Sequence, residues 1–476
     1  MRRTLRSLGL CIAVCLVLVA GARAGELKPG VPFTDNAVLQ RDVAVPVWGT
    51  AEAGEKITVS IGQQKKTATA DKDGKWTVKL DALSAGGPFE LAIEGKTKIT
   101  LSGVMAGEVW LCSGQSNMAM KVSLAANAAE EVAAADFPQI RLLSGTGAPW
   151  AACSPQTVGS FSAAAYYFGR ELHKTLKVPV GLINESVGGT SAVLWTPFDA
   201  VKAVPDLKRI VDSNDKMTAD FPKLMADYEE KLKKWNETKE GIEPRKPRFR
   251  PPGVLYDTMI QPVAPFAIRG AIWYQGEADA GRPAEYGVLF PTMIKAWRKA
   301  WGQGEFPFLF VQLPNYAGIN YTGVREAQAE SLSVPNTGMA VAIDIGDAKN
   351  IHPKNKQDVG RRLALIALAK TYGQKVVYSG PVYDKFTIED GKVRIQFKEI
   401  AGGLEVKGDE LKGFTIAGED KRFVPAQAKI DNGAVVVWSG LVPKPAAVRY
   451  GWEANPTCNL YNKEGLPAAP FRTDDW

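Results

Sequence analysis

Residues 107–118 read GEVWLCSGQSNM, and the reading of this stretch decides the fold. Glu108, Val109, Trp110, Leu111 and Cys112 have the apolar pattern of a strand, which breaks at Ser113-Gly114-Gln115-Ser116-Asn117. A small polar residue is thereby lifted to the end of a buried strand. In an α/β sheet, a sharp strand-to-helix turn made with glycine and small residues exposes a hydroxyl and points backbone N–H groups at it. Ser116 is a candidate nucleophile on that reading. The same letters also suit an ordinary strand followed by a Ser/Gly/Asn turn, so the rest of the chain has to decide.

On the N-terminal side, residues 25–105 alternate short strands with turn chemistry. Ala44 to Trp48, Lys56 to Ile61, Trp76 to Leu80 and Phe89 to Ile93 are strand candidates, and Asp71-Lys72-Asp73-Gly74 is a hairpin signal. These residues are expected to form a small β-sandwich region, a type of domain that more often packs or faces carbohydrate than catalyses. On the C-terminal side, residues 106–372 alternate apolar strands with helical patterns. Ser160 to Leu176 is amphipathic, and Val178 to Asn184 is a buried strand ended by Ser186-Val187-Gly188-Gly189-Thr190-Ser191. Strand, helix, strand implies a parallel sheet.

A charged stretch near 205–252 reads as a solvated helical insertion. The core resumes at Ala267 to Tyr274 and stops at Gln275-Gly276-Glu277-Ala278-Asp279. A helix over Phe290 to Trp301, a strand over Phe308 to Leu313, a strand over Met339 to Asp347 leading to Ile351-His352-Pro353, and a helix over Lys356 to Tyr372 follow. Residues 373–476 return to short strands and form a second β-region.

The 476 residues, 45% hydrophobic and 23% charged, have ordinary globular composition and are long enough for two or three domains. Residues 1–24 read as a cleavable signal peptide. Arg2, Arg3 and Arg6 precede an apolar run from Leu8 to Ala20, and Ala22-Arg23-Ala24 supplies a small-x-small site. The run is short of the ~20 apolar residues that cross a bilayer, so cleavage after Ala24 and a secreted or periplasmic location are expected, with no membrane span left. Cleavage removes four arginines and no acids, taking the net charge from +7 to +3.

No basic block interleaved with aromatics points to nucleic acid. Cys11 and Cys15 leave with the signal. Cys112, Cys153 and Cys458 remain, too few and too far apart for a disulfide framework, although one pair can form. Without Cys-x-x-Cys or a histidine cluster, no metal site is expected, and no cofactor is called for.

Ser116, Gly188-Gly189, Gln275 and His352 all follow buried strands. In an open parallel sheet, such ends share the edge where ligands bind. Serine needs a base, usually histidine, and only His173 and His352 exist. His173 stands in the last turn of a helix, where a cation complements the dipole, which leaves His352 as the base. The oxyanion of an acyl-transfer intermediate needs preorganised donors. The Ser116 amide, an amide of the Gly188-Gly189 turn and the Gln275 side chain are the candidates.

GEVWLCSGQSNM, VGGTSAVLWTP, WYQGEADA and IHPKNKQDVGRRLAL together resemble the sialate O-acetylesterase family of SGNH-type hydrolases, and VLQRDVAVPVWGTA and NLYNKEGLPAAPFRTD resemble its flanking β-regions. The resemblance implies a three-layer α/β/α domain around a mainly parallel sheet, with accessory β-sandwich regions at both ends. It implies a serine esterase that removes O-acetyl groups from carbohydrate, foremost sialic acid. By it Ser116 is the nucleophile, His352 the base, and Ser116, Gly189 and Gln275 the oxyanion donors.

One departure concerns the acid that orients the histidine. Many SGNH hydrolases carry aspartate three residues before that histidine, and here Lys349 stands there. Asp347 is preferred as the nearer carboxylate, with Asp344 and Glu277 as alternatives, and a Ser–His dyad held by a backbone carbonyl is also open. Arg325, in GVREAQ, is a candidate for binding an acidic sugar. Acetylated xylan or pectin as substrate, or a non-catalytic carbohydrate binder on a degenerate hydrolase, are the competing readings; oligomeric state is not legible.

Overall fold

The computed structural model describes residues 25–476; the expected signal segment 1–24 and its cleavage point lie outside the described residues. Lys28–Pro29, Val45–Thr50 and Lys75–Leu80 form a three-stranded antiparallel sheet. Its period is two: Trp76, Val78 and Leu80 are buried, while Lys75, Thr77 and Lys79 face outward. A second group of strands pairs Lys56–Ile61 with both Gln64–Thr69 and Gly86–Glu94.

The central element is β1, Lys98–Gly114, a strand of 17 residues. Its first half pairs antiparallel with Gly86–Glu94, and its second half runs inside the parallel sheet. The second group of N-terminal strands and the core therefore share one 11-stranded mixed sheet, and one unbroken strand runs through the expected boundary at residue 105. Every residue from Val104 to Gly114 is buried, which is why this segment reads as a continuous apolar run rather than an alternating one.

The other core strands are β2 (Phe137–Ser144), β3 (Ala151–Cys153), β4 (Val180–Ser186), β5 (Gly270–Tyr274), β6 (Phe308–Gln312) and β7 (Thr337–Val341), in spatial order β3-β2-β4-β1-β5-β6-β7. All neighbours from β2 to β7 are parallel; the edge strand β3 is antiparallel to β2. The chain fills one side of β1 first and then crosses to the other. That reversal creates a crevice at the carboxyl ends of β4, β1 and β5.

Helices cover both faces. Trp110 lies in register with Gly270, and Leu111 with Ala271, which in turn pairs with Phe308. Trp110 and Phe308 therefore project to opposite faces. On one face, Phe168 of α2 (Ala163–Leu176) packs edge-on against Trp110 with ring centroids 4.9 Å apart. On the other, Phe290 of α4 (Pro283–Trp301) packs against Phe308 and Phe310. The helix α6, Lys356–Lys370, joins α2 so closely that a Cβ on Gly360 would lie 2.5 Å from the Cβ of Tyr167.

Between β4 and β5 the helix α3, Lys208–Thr238, runs 31 residues with only Ile210 buried. Its surface carries the i,i+4 pairs Lys208–Asp212, Lys231–Asp227 and Lys234–Glu230.

The strand expected from Met339 to Asp347 ends at Val341. The next residues turn, with the Ile345 amide donating to Ala342 O, because Asp344 is drawn to Arg362 and to the Tyr461 hydroxyl. The C-terminal strands form two four-stranded sheets and a two-stranded one. They have their own core around Val393, Ile395, Val435, Val437 and Phe471, whereas the N-terminal strands share a core with the parallel sheet. Cys112, Cys153 and Cys458 are free thiols. Among the described residues, no helix is long and apolar enough to cross a membrane, and no cluster of three or more His, Cys, Asp or Glu is placed to hold a metal ion.

Candidate active site

The carboxyl end of β1 is held between its neighbours. Gly114 has φ +140°, and a Cβ there would lie 2.2 Å from the Tyr274 carbonyl oxygen; only glycine tolerates both the conformation and the approach. The next amide, Gln115, donates to Tyr274 O at 3.0 Å, and the Val187 amide donates to Gly114 O at 3.1 Å. The ends of β1, β5 and β4 are thus tied together at the crevice. Ser116 is the first residue of the short helix α1, Ser116–Ala119, so its N–H has no intrahelical acceptor.

The turn after β4 lies over this serine. A Cβ on Gly188 would stand 3.4 Å from the Ser116 Cβ, so a longer side chain there would crowd the serine. Gly189, at φ +68°, reverses the chain. Ser116, Gly188, Asn350 and His352 line one open cavity of about 600 Å3, together with Lys121, Leu124 and Lys354. Burial and the positive charge of Lys356 push the His352 imidazole below the usual histidine value, toward its neutral form.

Several candidate residues are committed elsewhere. Gln275 is fully buried, and its Nε2 donates to Thr190 O at 3.1 Å and to Asp279 Oδ2 at 2.6 Å. Both N–H bonds are engaged, so Gln275 shapes the glycine turn and has none left for an oxyanion. Asp279 completes that brace by accepting from the Ser191 hydroxyl and, at 2.9 Å, from the Ala192 amide. Burial pushes its carboxyl up, against the pull of these donors.

Arg325, expected to meet an acidic sugar, lies on the helix α5, Thr322–Glu330, and is 1% exposed. Its guanidinium donates to the carbonyls of Leu313, Pro314, Glu453 and Ala454 at 2.7–3.0 Å. It pins the C-terminal β-region to the core and does not reach the cavity.

None of the three carboxylates considered for the acid bonds the imidazole. Asp344 forms a two-pronged pair with Arg362 at 2.6 and 2.7 Å. Asp347 is exposed and accepts the Lys349 and Asn350 amides at 2.8 and 3.2 Å, folding the loop as an Asx turn. Glu277 accepts from Asn117 Nδ2 at 2.6 Å. The loop is tightened further by Asn350 Oδ1, which accepts the His352 amide at 2.9 Å.

Asn117, Asp279, Lys121, Lys354 and Lys356 were not singled out from the sequence. All but Lys121 lie within the motifs that were, and what marks each is a tertiary partner or a place in the cavity wall.

Known proteins resemble the chain along most of its length. The family described as carbohydrate esterase, sialic acid-specific acetylesterase, matches residues 225–369. A sialate O-acetylesterase of Rattus norvegicus is 30% identical, with 92% of this chain and 93% of the relative covered. One of Homo sapiens is 29% identical, with 97% and 96% covered. The crystal structure of a novel carbohydrate acetylesterase from Xanthomonas citri is 36% identical and superposes with a TM-score of 0.81, covering 94% of this chain and all of that one.

Proposed function

Because this chain belongs to the sialate O-acetylesterase family and is a carboxylic ester hydrolase, we propose that it removes O-acetyl groups from sialic acid through an acetyl-Ser116 intermediate. The observation that carries this reading is the single cavity that Ser116, Gly188 and His352 share. His352 takes the Ser116 proton as the oxygen attacks the acetyl carbonyl. The Ser116 and Gly189 amides receive the oxyanion. The tetrahedral intermediate collapses, the ester C–O bond breaks, and His352 protonates the departing sugar oxygen. Water then loses a proton to His352 and attacks the acetyl carbon; the bond from that carbon to the Ser116 oxygen breaks, and His352 returns the proton to that oxygen as the acetyl group leaves as acetic acid, which ionises to acetate.

Two lysines favour a carboxylate-bearing sugar over a neutral one. Lys121 and Lys354 are exposed in the cavity wall, and no Asp or Glu lines it. An anionic substrate gains from that field, and salt weakens the gain. The same reading assigns the fold to the SGNH-type three-layer class, which the helices on opposite sheet faces support. It also assigns export, supported by the signal-like sequence of residues 1–24.

The test is acetate release from acetylated sialic acids, xylans and pectins, with Ser116→Ala as the blank. Sialic esters are expected to turn over, with the variant reduced by at least about a thousandfold and refusing a fluorophosphonate label. Undiminished turnover by Ser116→Ala overturns the nucleophile; preferential turnover of xylan overturns the substrate.

A further inference from the structure

Behind the cavity lies a buried group of charges that the reaction just described does not use. Lys356 opens α6 four residues after His352 and has no exposed surface. Its Nζ donates to Asn117 Oδ1 at 2.8 Å and to Pro353 O at 2.6 Å. Asn117 follows Ser116 and is equally buried; its Nδ2 donates to Glu277 Oε1 at 2.6 Å and to Ile351 O at 3.0 Å. Both chain neighbours of His352 therefore hang by their carbonyls from one Asn117–Lys356 unit, rooted in the residue next to the nucleophile. Glu277 closes the group, and its second oxygen, Oε2, is buried without a hydrogen-bond partner.

We infer that Asn117, Lys356 and Glu277 form a clamp that holds the His352 imidazole against Ser116, with Lys356 a positioning residue of the esterase reaction. The inference rests on Ser116 and His352 being nucleophile and base. Stability alone gives little reason for such a group, since well-packed apolar side chains of similar volume commonly serve a buried site as well or better. Geometry gives one. A carboxylate that would orient the imidazole directly is not in place, and the clamp fixes the loop from both sides of the histidine instead.

The clamp also carries charge to the base. Lys356 faces Glu277 and, at 5.5 Å, the ring of Tyr274. Asp279 acts on Glu277, Glu277 in turn acts on Tyr321, and Lys121 and Lys354 stand on the cavity side. Burial lowers Lys356 to about 7, opposed by Glu277, while burial raises Glu277. Below that value the ammonium is charged, and it disfavours protonation of His352. Removing it lets His352 take up its proton at higher pH.

The experiment compares kcat, KM and the pH profile of aryl-acetate hydrolysis for the full chain, Lys356→Met, Lys356→Gln and Glu277→Gln, with circular-dichroism melting as the measure of folding. Folded Lys356→Met is expected to lose kcat more than tenfold at nearly unchanged KM, and the acid limb of kcat/KM should move to higher pH. Lys356→Gln, which keeps a donor without charge, should recover part of kcat but not the limb. Should Lys356→Met fail to fold, Lys356→Met with Glu277→Gln removes the unpaired charge and carries the same expectation. A folded variant with kcat within twofold of the parent and an unmoved limb overturns the clamp. Failure of both to fold makes the group a folding element and overturns it as well. Turnover retained by Ser116→Ala would instead overturn the reading on which the clamp rests.

Discussion

His352 is held by its backbone more than by its ring. Burial first and the Lys356 charge second lower its pKa, so the neutral imidazole, which in the proposed mechanism accepts the serine proton, persists into mildly acidic solution. Protonation removes the base, so activity is lost as pH falls through that lowered value. The expected kcat/KM profile is flat near neutrality, with its acid limb below 6.5; a limb at or above that value contradicts the assignment. Asp347 is predicted to matter little. Asn in its place retains the oxygen that accepts the Lys349 and Asn350 amides, so Asp347→Asn should cost less than about tenfold in kcat. Removing a true triad aspartate costs about four orders of magnitude. Steady-state kinetics of the one variant separates the two cases. Spacing places Asp347 in the histidine's loop, whereas its carboxylate turns back to the loop's own amides, and no linear pattern encodes that.

At the scale of elements, the junction of β1 with α1 is the least tolerant point. Gly114→Ala forces a Cβ into the Tyr274 carbonyl at a backbone conformation that side chains rarely adopt. A loss on the order of 3 kcal/mol is expected, read from urea unfolding, together with reduced kcat from displacement of Ser116. The strand and the break after it were legible because burial on both faces writes a continuous apolar run and the turn writes glycine. The end of β7 was not. Met339 to Ile345 has the composition of a strand throughout, but the capture of Asp344 by Arg362 and Tyr461, 18 and 117 residues away, bends the chain after Val341. Helix starts followed capping chemistry: Ser162 and Asn355 each accept an amide three residues on.

In the whole molecule, Glu108 joins parts distant in sequence. It is fully buried at the start of the parallel portion of β1 and accepts from Arg41 at 2.6 Å, Arg269 at 2.7 Å and the Tyr372 hydroxyl at 3.0 Å. Burial alone would raise its pKa, but the hydrogen bonds and charge of Arg269, with Arg41 and Gln40, more than offset this and hold it below 4.5. A depressed carboxyl contributes stability that is fully present above its unfolded value and is lost as pH falls through the folded one. Glu108→Gln should therefore cost about 3 kcal/mol at pH 7 and flatten the fall in stability below pH 4.5. Chemical denaturation of both proteins across that range measures it; equal stabilities at pH 7 contradict it. Arg325 plays a similar part for the C-terminal region, which has a separate core and depends on such ties.

By itself the sequence determined the parallel core, the glycine turn that carries Ser116 and the loop that carries His352, because period, glycine placement and the scarcity of histidine are properties of the chain read in order. Only the tertiary structure decided the rest. It committed Gln275 and Arg325 to backbone carbonyls, withheld the carboxylates from the imidazole, and gathered Asn117, Lys356 and Glu277 beneath it. The donors and acceptors of a buried side chain are satisfied by whatever folding brings within about 3 Å, and that is set by the packing of elements far apart in the chain.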